Sequence, residues 1–412
     1  MRDVRALLLG AFVLGLAVSI TLAETALALL AIRWVYRLAT WRASRRRWPL
    51  SVPFVAWGFA SLLAATASAS PAASLTTAVR GLLLIVVFYV VLDALGDVRA
   101  ADRFVTALFV LMAGVAAFSI LQTPLCPRLA ETSPTLGKFL LRCHSRFTLP
   151  YRAHGFFSIY MTLAGVLSLV LLTTVPRILR TAFGPRTWQI PAWLTGAVAF
   201  ALTQVRGAWV GFVIGLAALG LLLRRSRAVL LGGGVLLVIA LLLLPGVIRR
   251  VESIADPADP TVRERWLMWG SGWAMWRDHP LLGIGPGQVK REYPRYASPD
   301  ALQKRRGHVH NTPLQVLVER GFLGLAAWTS VFFTFFWRAA GILRSLPHEA
   351  ARQRDLVMGS LAAIAGFLVG GLTEYNFGDS EVALVAYAVM ALPFVVERAV
   401  REGGVTVPLS RH

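Results

Sequence analysis

Residues Gln189 to Leu223 read QIPAWLTGAVAFALTQVRGAWVGFVIGLAALGLLL, and Arg206 is the single charge in the stretch. A helix crosses the hydrocarbon of a bilayer with about 20 predominantly apolar residues, so this run is too long for one crossing. It is read as two, 189–204 and 207–223, with a bend at Arg206. A guanidinium at the middle of a spanning helix costs roughly 2.5 to 3.5 kcal/mol on insertion scales. Arg206 is therefore kept for a partner, unless the bend is a short outer turn from which it snorkels to lipid headgroups. Gly207 and Gly211 are expected to leave room for a bulky ligand or to let the backbone approach it.

Outward from this stretch, the same length criterion finds about twelve apolar runs. They lie near residues 6–22, 24–40, 52–68, 80–96, 104–122, 155–174, 189–204, 207–223, 228–247, 312–337, 355–372 and 380–396, the first two forming a hairpin around Glu24. The run after Arg2 and Arg5 passes into the next without a cleavage site, so no removable signal peptide is expected. With 56% hydrophobic and 15% charged residues and a mean hydropathy of +0.63, the 412-residue chain does not match a water-facing surface. The expected fold is an all-α polytopic membrane protein of about twelve transmembrane helices, with a large loop between helices 9 and 10. Helices 1–9 would occupy 1–248, the loop domain 249–310, and helices 10–12 with a tail 311–412.

The chain carries 42 Lys and Arg against 21 Asp and Glu, a formal net charge of +21. Such a surplus points to nucleic acid unless the cations sit in membrane loops. With the amino terminus inside, the inner loops collect Arg37, Arg42, Arg45 to Arg47, Arg99, Arg103, Arg177, Arg180, Arg186, Arg224, Arg225, Arg227, Arg338, Arg344, Arg352, Arg354, Arg398 and Arg401. Retention of positive charge on the cytoplasmic side accounts for these, and nucleic acid drops out as a partner. Both termini are then cytoplasmic. The outer face receives the loop from Thr123 to Arg152, the bend at Arg206, the loop from Arg249 to His310, and the acidic turn with Glu374, Asp379 and Glu381. The outer loops still hold Arg249, Arg250, Lys290, Arg291 and Lys304 to Arg306, which anionic lipids or an anionic glycolipid substrate would explain. Cys126 and Cys143 share the first large outer loop, where a disulfide fits an oxidising periplasm.

The stretch His308 to Leu325, HVHNTPLQVLVERGFLGL, reads as the end of the outer loop entering a span. Asn311 or Thr312 caps the helix, Pro313 suits its first turn, and Gly321 and Gly324 allow close helix packing. His310 then sits at the outer lip of the membrane, where an imidazole, titrating near neutrality, is a good general base. An isolated histidine there more often only hydrogen-bonds, and His308 is a rival. The segment from Thr261 to Trp276 fits an amphipathic interfacial helix carrying Trp266, Trp269 and Trp276, and the Gly285-Pro286-Gly287 segment is a turn. Were Arg206 and either Arg263 or Arg265 to converge with His310, guanidinium forks would meet phosphate oxygens without a metal. Asp256 and Asp259, between prolines, read as a turn rather than as a divalent-ion site. Arg152, His154, Asn311, Asp379 and Glu374 are second-rank candidates. No metal-type Cys/His spacing and no cytoplasmic phosphate-binding Gly-rich loop is present, so no metal or other cofactor is expected.

His310-Asn311 followed after nine residues by Gly321 and then Gly324, together with Arg206-Gly207 and with Asp278-His279-Pro280-Leu281 leading to Gly283-Ile284-Gly285-Pro286-Gly287, resembles the O-antigen ligase and polymerase family over the chain from roughly Phe104 onward. The resemblance implies a GT-C-like, metal-independent glycosyltransferase of the bacterial inner membrane whose large loop and active site face the periplasm. It implies that His310 corresponds to the essential histidine, Arg206 to the mid-chain arginine, and Arg265 or Arg263 to the loop arginine facing the lipid diphosphate. The expected activity is transfer of a finished polysaccharide from undecaprenyl diphosphate to a lipid A-core sugar hydroxyl in lipopolysaccharide biosynthesis, with membrane lipids as surroundings. Inversion is expected, since no carboxylate pair of the retaining type flanks a site. An O-antigen polymerase or a protein O-oligosaccharyltransferase would use the same groups. A polysaccharide transporter would also tolerate an intramembrane arginine, but neither inverted repeats nor paired broken helices are visible in the sequence.

Overall fold

The computed structural model describes residues 2–40, 48–143, 151–181, 187–223, 247–252, 256 and 259–402, and every regular element among them is helical. Helices α1 (Arg2–Val18) and α2 (Ile20–Ala39) form a first pair, α3 (Ser51–Thr66) and α4 (Pro71–Ala94) a second. Helix α5 (Val98–Thr132) leads into the short α6 (Pro134–Leu141), followed by α7 (Tyr160–Thr181), α8 (Gln189–Leu202) and α9 (Arg206–Leu222). The polar interval holds α10 (Val247–Glu252), α11 (Pro260–Asp278) and α12 (Val289–Tyr296). Helices α13 (Thr312–Ser345) and α14 (Ala351–Gly370), a 3-10 turn (Asn376–Gly378) and α15 (Ser380–Glu402) complete the described chain.

Eleven of the expected runs fall on helices, and the run at 228–247 lies outside the described residues except for its last position. Five helices, α4, α5, α7, α13 and α15, are long and apolar enough to cross a membrane, while α1, α3, α8 and α9 are shorter apolar helices. Two boundaries differ from expectation. The first hairpin turns at Ser19 and not around Glu24, because Gly15 lets the backbone of Ala23 approach to where a Cβ would stand 2.2 Å away. Helix α5 continues past Thr123 to Thr132 through Pro124 and Pro127, so part of the expected outer loop is helical, and Cys126 on it is disulfide-bonded to Cys143.

Helix α15 is buried on all sides from Val382 to Val396, and α7 is buried along most of its length, which is the pattern of helices apolar all round. They form the centre, with α4, α5, α9 and α14 packed around them. Helices α9 and α14 cross in close contact. A Cβ on Gly211 would lie 2.3 Å from the Gly366 carbonyl oxygen, and one on Gly207 would strike Thr373. Gly207 and Gly211 therefore serve close helix packing, which corrects the expectation that they make space for a ligand.

At one end of the bundle Arg33 and several of the arginines expected inside meet acids. Arg37 and Arg33 lie 3.0 and 3.4 Å from Asp93, Arg177 lies 3.2 Å from Asp102, Arg180 lies 2.6 Å from Asp355 and Arg338 lies 3.1 Å from Glu397. The far ends of α13, α14 and α15 converge at the opposite pole, where Thr312 donates its amide to the Gly371 carbonyl at 2.6 Å.

Helix α13 is broken at Gly321, whose φ of 63° and ψ of −165° are not helical. The break frees backbone groups that the segment 280–285 satisfies. Ile284 and Gly285 donate to the carbonyls of Val318 and Glu319 at 2.9 and 3.0 Å, and Phe322 and Leu323 donate to Pro280 and Leu281 at 2.9 and 3.3 Å. Gly321 meets the backbone of Leu281, and Gly324 faces the side chain of Arg320 on its own helix. These glycines thus make a break and a loop dock, not the helix-helix contact expected of them. Behind the break, Arg320 is buried over the Trp57 ring at 4.8 Å and donates to Glu319 at 2.7 Å and Ser61 at 3.2 Å.

Candidate functional site

The site is assembled where three chain breaks meet. The first is the interruption between α8 and α9, which places Arg206 as the first residue of α9. Arg206 is 6% exposed and donates through Nη2 to the Thr261 hydroxyl at 2.6 Å, with Asp259 Oδ1 at 3.5 Å. It is held by α11 and does not snorkel outward. Asp259 neither sits in a plain turn nor gathers other acids: it caps α11, accepting from the amides of Thr261 and Val262 at 2.9 and 3.1 Å, ahead of Pro260. Burial raises its pKa, but the Thr261 hydroxyl, the Val262 amide and the Arg206 charge outweigh this and bring it down to about 2.

The second break is α11 itself, whose inner face buries Glu264, Met268, Ser271 and Met275. The spacing 264, 268, 271, 275 is the helical stripe, and it leaves Trp266 64% exposed on the other side. Arg265 lies beside that stripe and forms an ion pair with Glu374, while Arg263 is exposed and lines no part of the cavity below. Glu264 accepts from the Leu302 amide at 2.6 Å and from Arg306 at 2.9 Å. Burial would raise its pKa, but those donors hold it below the usual carboxylate range.

The third break is the entry to α13. Asn311 caps the helix by accepting from the Leu314 amide at 2.9 Å, as the Asn-x-Pro start requires. The residue before it, His310, has a positive φ of 48°. That conformation is strained for a non-glycine residue and turns the imidazole toward the chain after α14. His310 Nδ1 lies 3.1 Å from Glu374 Oε2, and Glu374 Oε1 takes Arg265. Thr312 fixes the same segment by donating to the Glu374 carbonyl at 2.9 Å. With the carboxylate as acceptor, this contact is made by the Nδ1–H tautomer, in which Nε2 is the accepting nitrogen of the ring.

These groups line one cavity of about 420 Å³ that holds Arg152, Arg206, Arg265 and Arg306 together with His310, Glu264 and Glu374. Gln204, another residue with positive φ at 55°, lines it too. The remaining candidates are placed as follows. Arg152 lies 4.6 Å above the Tyr160 ring at the cavity wall. His154 is 3% exposed, meets the Tyr151 hydroxyl at 2.7 Å and the Phe157 carbonyl at 3.1 Å, and lies outside the cavity. Asp379 accepts from Thr162 at 2.5 Å and borders a different cavity, as does His308, whose ring centroid is 4.1 Å from that of His310. Burial and the neighbouring His310 push His308 down to about 4.

Glu374, a second-rank candidate from the sequence, and Arg306, one of the outer cations, both line the cavity. Sixty-four residues separate His310 from Glu374, and no periodicity links them. Of the other outer cations, Lys304 is taken up by the carbonyls of Ser298 and Pro299 at 2.7 and 2.6 Å, Arg291 reaches the Ser70 hydroxyl, and Lys290 and Arg305 are exposed. The side chains of Arg249 and Arg250 lie outside the described residues.

Residues 191–329 match the family described as O-antigen ligase, a span that contains Arg206, Arg265, His310 and Gly321 and leaves Arg152 and Glu374 outside it. No curated protein matches the chain.

Proposed function

We propose that the chain is an O-antigen ligase, a reading supported by the match of residues 191–329 to the O-antigen ligase family and by the apolar helices of a multi-pass membrane protein. In this reading it transfers a polysaccharide from undecaprenyl diphosphate to a lipid A-core sugar at the periplasmic face of the inner membrane. The observation that carries the reading is the single cavity in which a histidine backed by a carboxylate stands among four arginines.

His310 Nε2 takes the proton of the acceptor hydroxyl as its oxygen bonds to the anomeric carbon. The bond from that carbon to the diphosphate breaks in the same displacement, and its electron pair leaves with the diphosphate. Arg206, Arg265, Arg152 and Arg306 are cations that cannot deprotonate, and they stabilise the charge that develops on the leaving group. Glu374 fixes the imidazole tautomer. Direct displacement inverts the anomeric centre. The loop domain over 249–310 and the cytoplasmic placement of both termini belong to the same proposal, supported by the ion-paired arginines at the pole away from the cavity.

Purified protein in detergent, supplied with a lipid-diphosphate-linked glycan and lipid A-core, should form the ligated product after chelator treatment. His310→Ala should remain folded and form none. A wild type that needs added metal, or an active His310→Ala, would overturn this chemistry. In cells, loss of the chain should leave bare core while lipid-linked polymer accumulates. Core plus one repeat unit would identify a polymerase, and absence of periplasmic polymer a transporter.

A further inference from the structure

Glu374 borders two cavities. The second, of about 230 Å³, shares Met161, Val205 and Glu374 with the arginine cavity and extends between α7, α9, α14 and α15. Its polar rim includes His308, Glu374, Tyr375, Asn376 and Asp379, and among the described residues no Lys or Arg lines it. Its walls include Gly165, Gly366 and Gly370, which present flat backbone.

The two cavities differ in what they can hold. Glu374 is taken up by Arg265 and His310 from the arginine side, so this cavity offers a phosphate no cation of its own and faces it with the Asp379 carboxylate, while carboxylate and amide oxygens accept hydrogen bonds from hydroxyls. The volume falls below the range of roughly 300 to 1,000 Å³ common for drug-sized ligands, so the cavity suits one ring and not a chain. His308 Nδ1 is buried with no hydrogen-bond partner among the described residues. A buried polar atom of this kind is costly unless something arrives to pair with it. Burial also keeps that imidazole neutral, able to donate and accept like a sugar hydroxyl's other partners.

We propose that this cavity is the acceptor subsite and takes one neutral sugar ring, whose attacking hydroxyl reaches His310 past Glu374 while the diphosphate occupies the arginine cavity. The inference rests on the transferase reading. It adds a second compartment, cation-free, that separates the two substrates by charge.

The test uses the purified full chain and methyl α-D-glucopyranoside as the neutral-ring probe, followed by saturation-transfer NMR. Binding is expected, should persist in saturating inorganic pyrophosphate, and should weaken at least tenfold in Ala208→Met and in Ser168→Leu, whose side chains fill the cavity. Both variants should bind pyrophosphate as the wild type does, which shows that they fold. In the transfer assay their KM for acceptor should rise at least tenfold, with the KM for donor unchanged. Displacement of the sugar by pyrophosphate, or wild-type sugar binding in the folded variants, would overturn the proposal. Should the wild type bind the sugar in this cavity yet transfer no glycan, the transferase reading fails instead and the neutral-ring site stands.

Discussion

His310 Nδ1 stands 3.1 Å from one carboxylate oxygen of Glu374, and the other oxygen of that carboxylate holds Arg265. One side chain from the turn after α14 thus touches both the imidazole and the Arg265 guanidinium, the base and a phosphate-binding cation of the proposed reaction. Glu374→Gln keeps the size of the side chain but halves its acceptors and offers an amide to Arg265. The expected result is a fall in kcat of roughly 10² to 10⁴-fold, the range that general-base catalysis supplies, with a higher KM for the donor. An unchanged kcat in the folded variant would show that the carboxylate does not orient the base.

Arg265 and Arg263 are indistinguishable by spacing but lie on different faces of α11, one on the cavity and one exposed. Arg265→Lys loses the bidentate fork and should raise the donor KM about tenfold or more, the effect of about 1.4 kcal/mol. Arg263→Lys should leave both kinetic constants within twofold. Steady-state kinetics with varied lipid-diphosphate donor decides between them, and equal losses would refute the assignment.

The Cys126–Cys143 disulfide closes a separation of 17 residues beside Gln122, which donates to the carbonyls of Leu141 and Gly155 at 2.7 and 3.0 Å. A loop of this length gains on the order of 3 kcal/mol from the crosslink. The Cys126→Ser, Cys143→Ser double variant should therefore melt several degrees lower in detergent, and thiol reductant should lower the melting temperature of wild type but not of the variant.

His308 makes a pH prediction whose sign is fixed. Its folded-state pKa lies near 4, below the ordinary value of about 6.5, so the folded protein favours the neutral ring. Its contribution is fully present above about 6.5 and is lost as pH falls toward 4, because the unfolded chain binds the proton first. The melting temperature should decline across that window, and His308→Gln should flatten the decline. Asp259, held at about 2, adds its own loss only below the ordinary carboxylate range. An identical slope in wild type and His308→Gln would reject the assignment.

The helices were legible because apolar runs are long and each protein-buried or lipid-facing turn repeats the same residue types. The break at Arg206 and the cap at Asn311 were legible for a local reason: a charge and an Asn-x-Pro start each declare themselves within a few residues. Glu374 was not, since its role depends on a contact across 64 positions. The glycines were misread for a related cause. Spacing shows that a backbone must come close at Gly207, Gly211 and Gly321 but not what comes close, and the partners are α14 for the first two and the 280–285 segment for the third. The tryptophans of α11 gave its amphipathic character, while the buried face carries Glu264, Met268, Ser271 and Met275 and no tryptophan.

The half-helix from Thr312 to Arg320 has a consequence for how the chain can vary in length. It is pinned at its start by Asn311 and at its end by Gly321, and Gln315 and Glu319 along it reach the Val309 and Gly287 amides at 2.9 and 3.0 Å. Nine residues at 1.5 Å each make a rod of about 14 Å, and one inserted residue would rotate everything beyond it by about 100°. The segment therefore works as a ruler: side chains can change along it, but the count from His310 to the break sets where the imidazole stands.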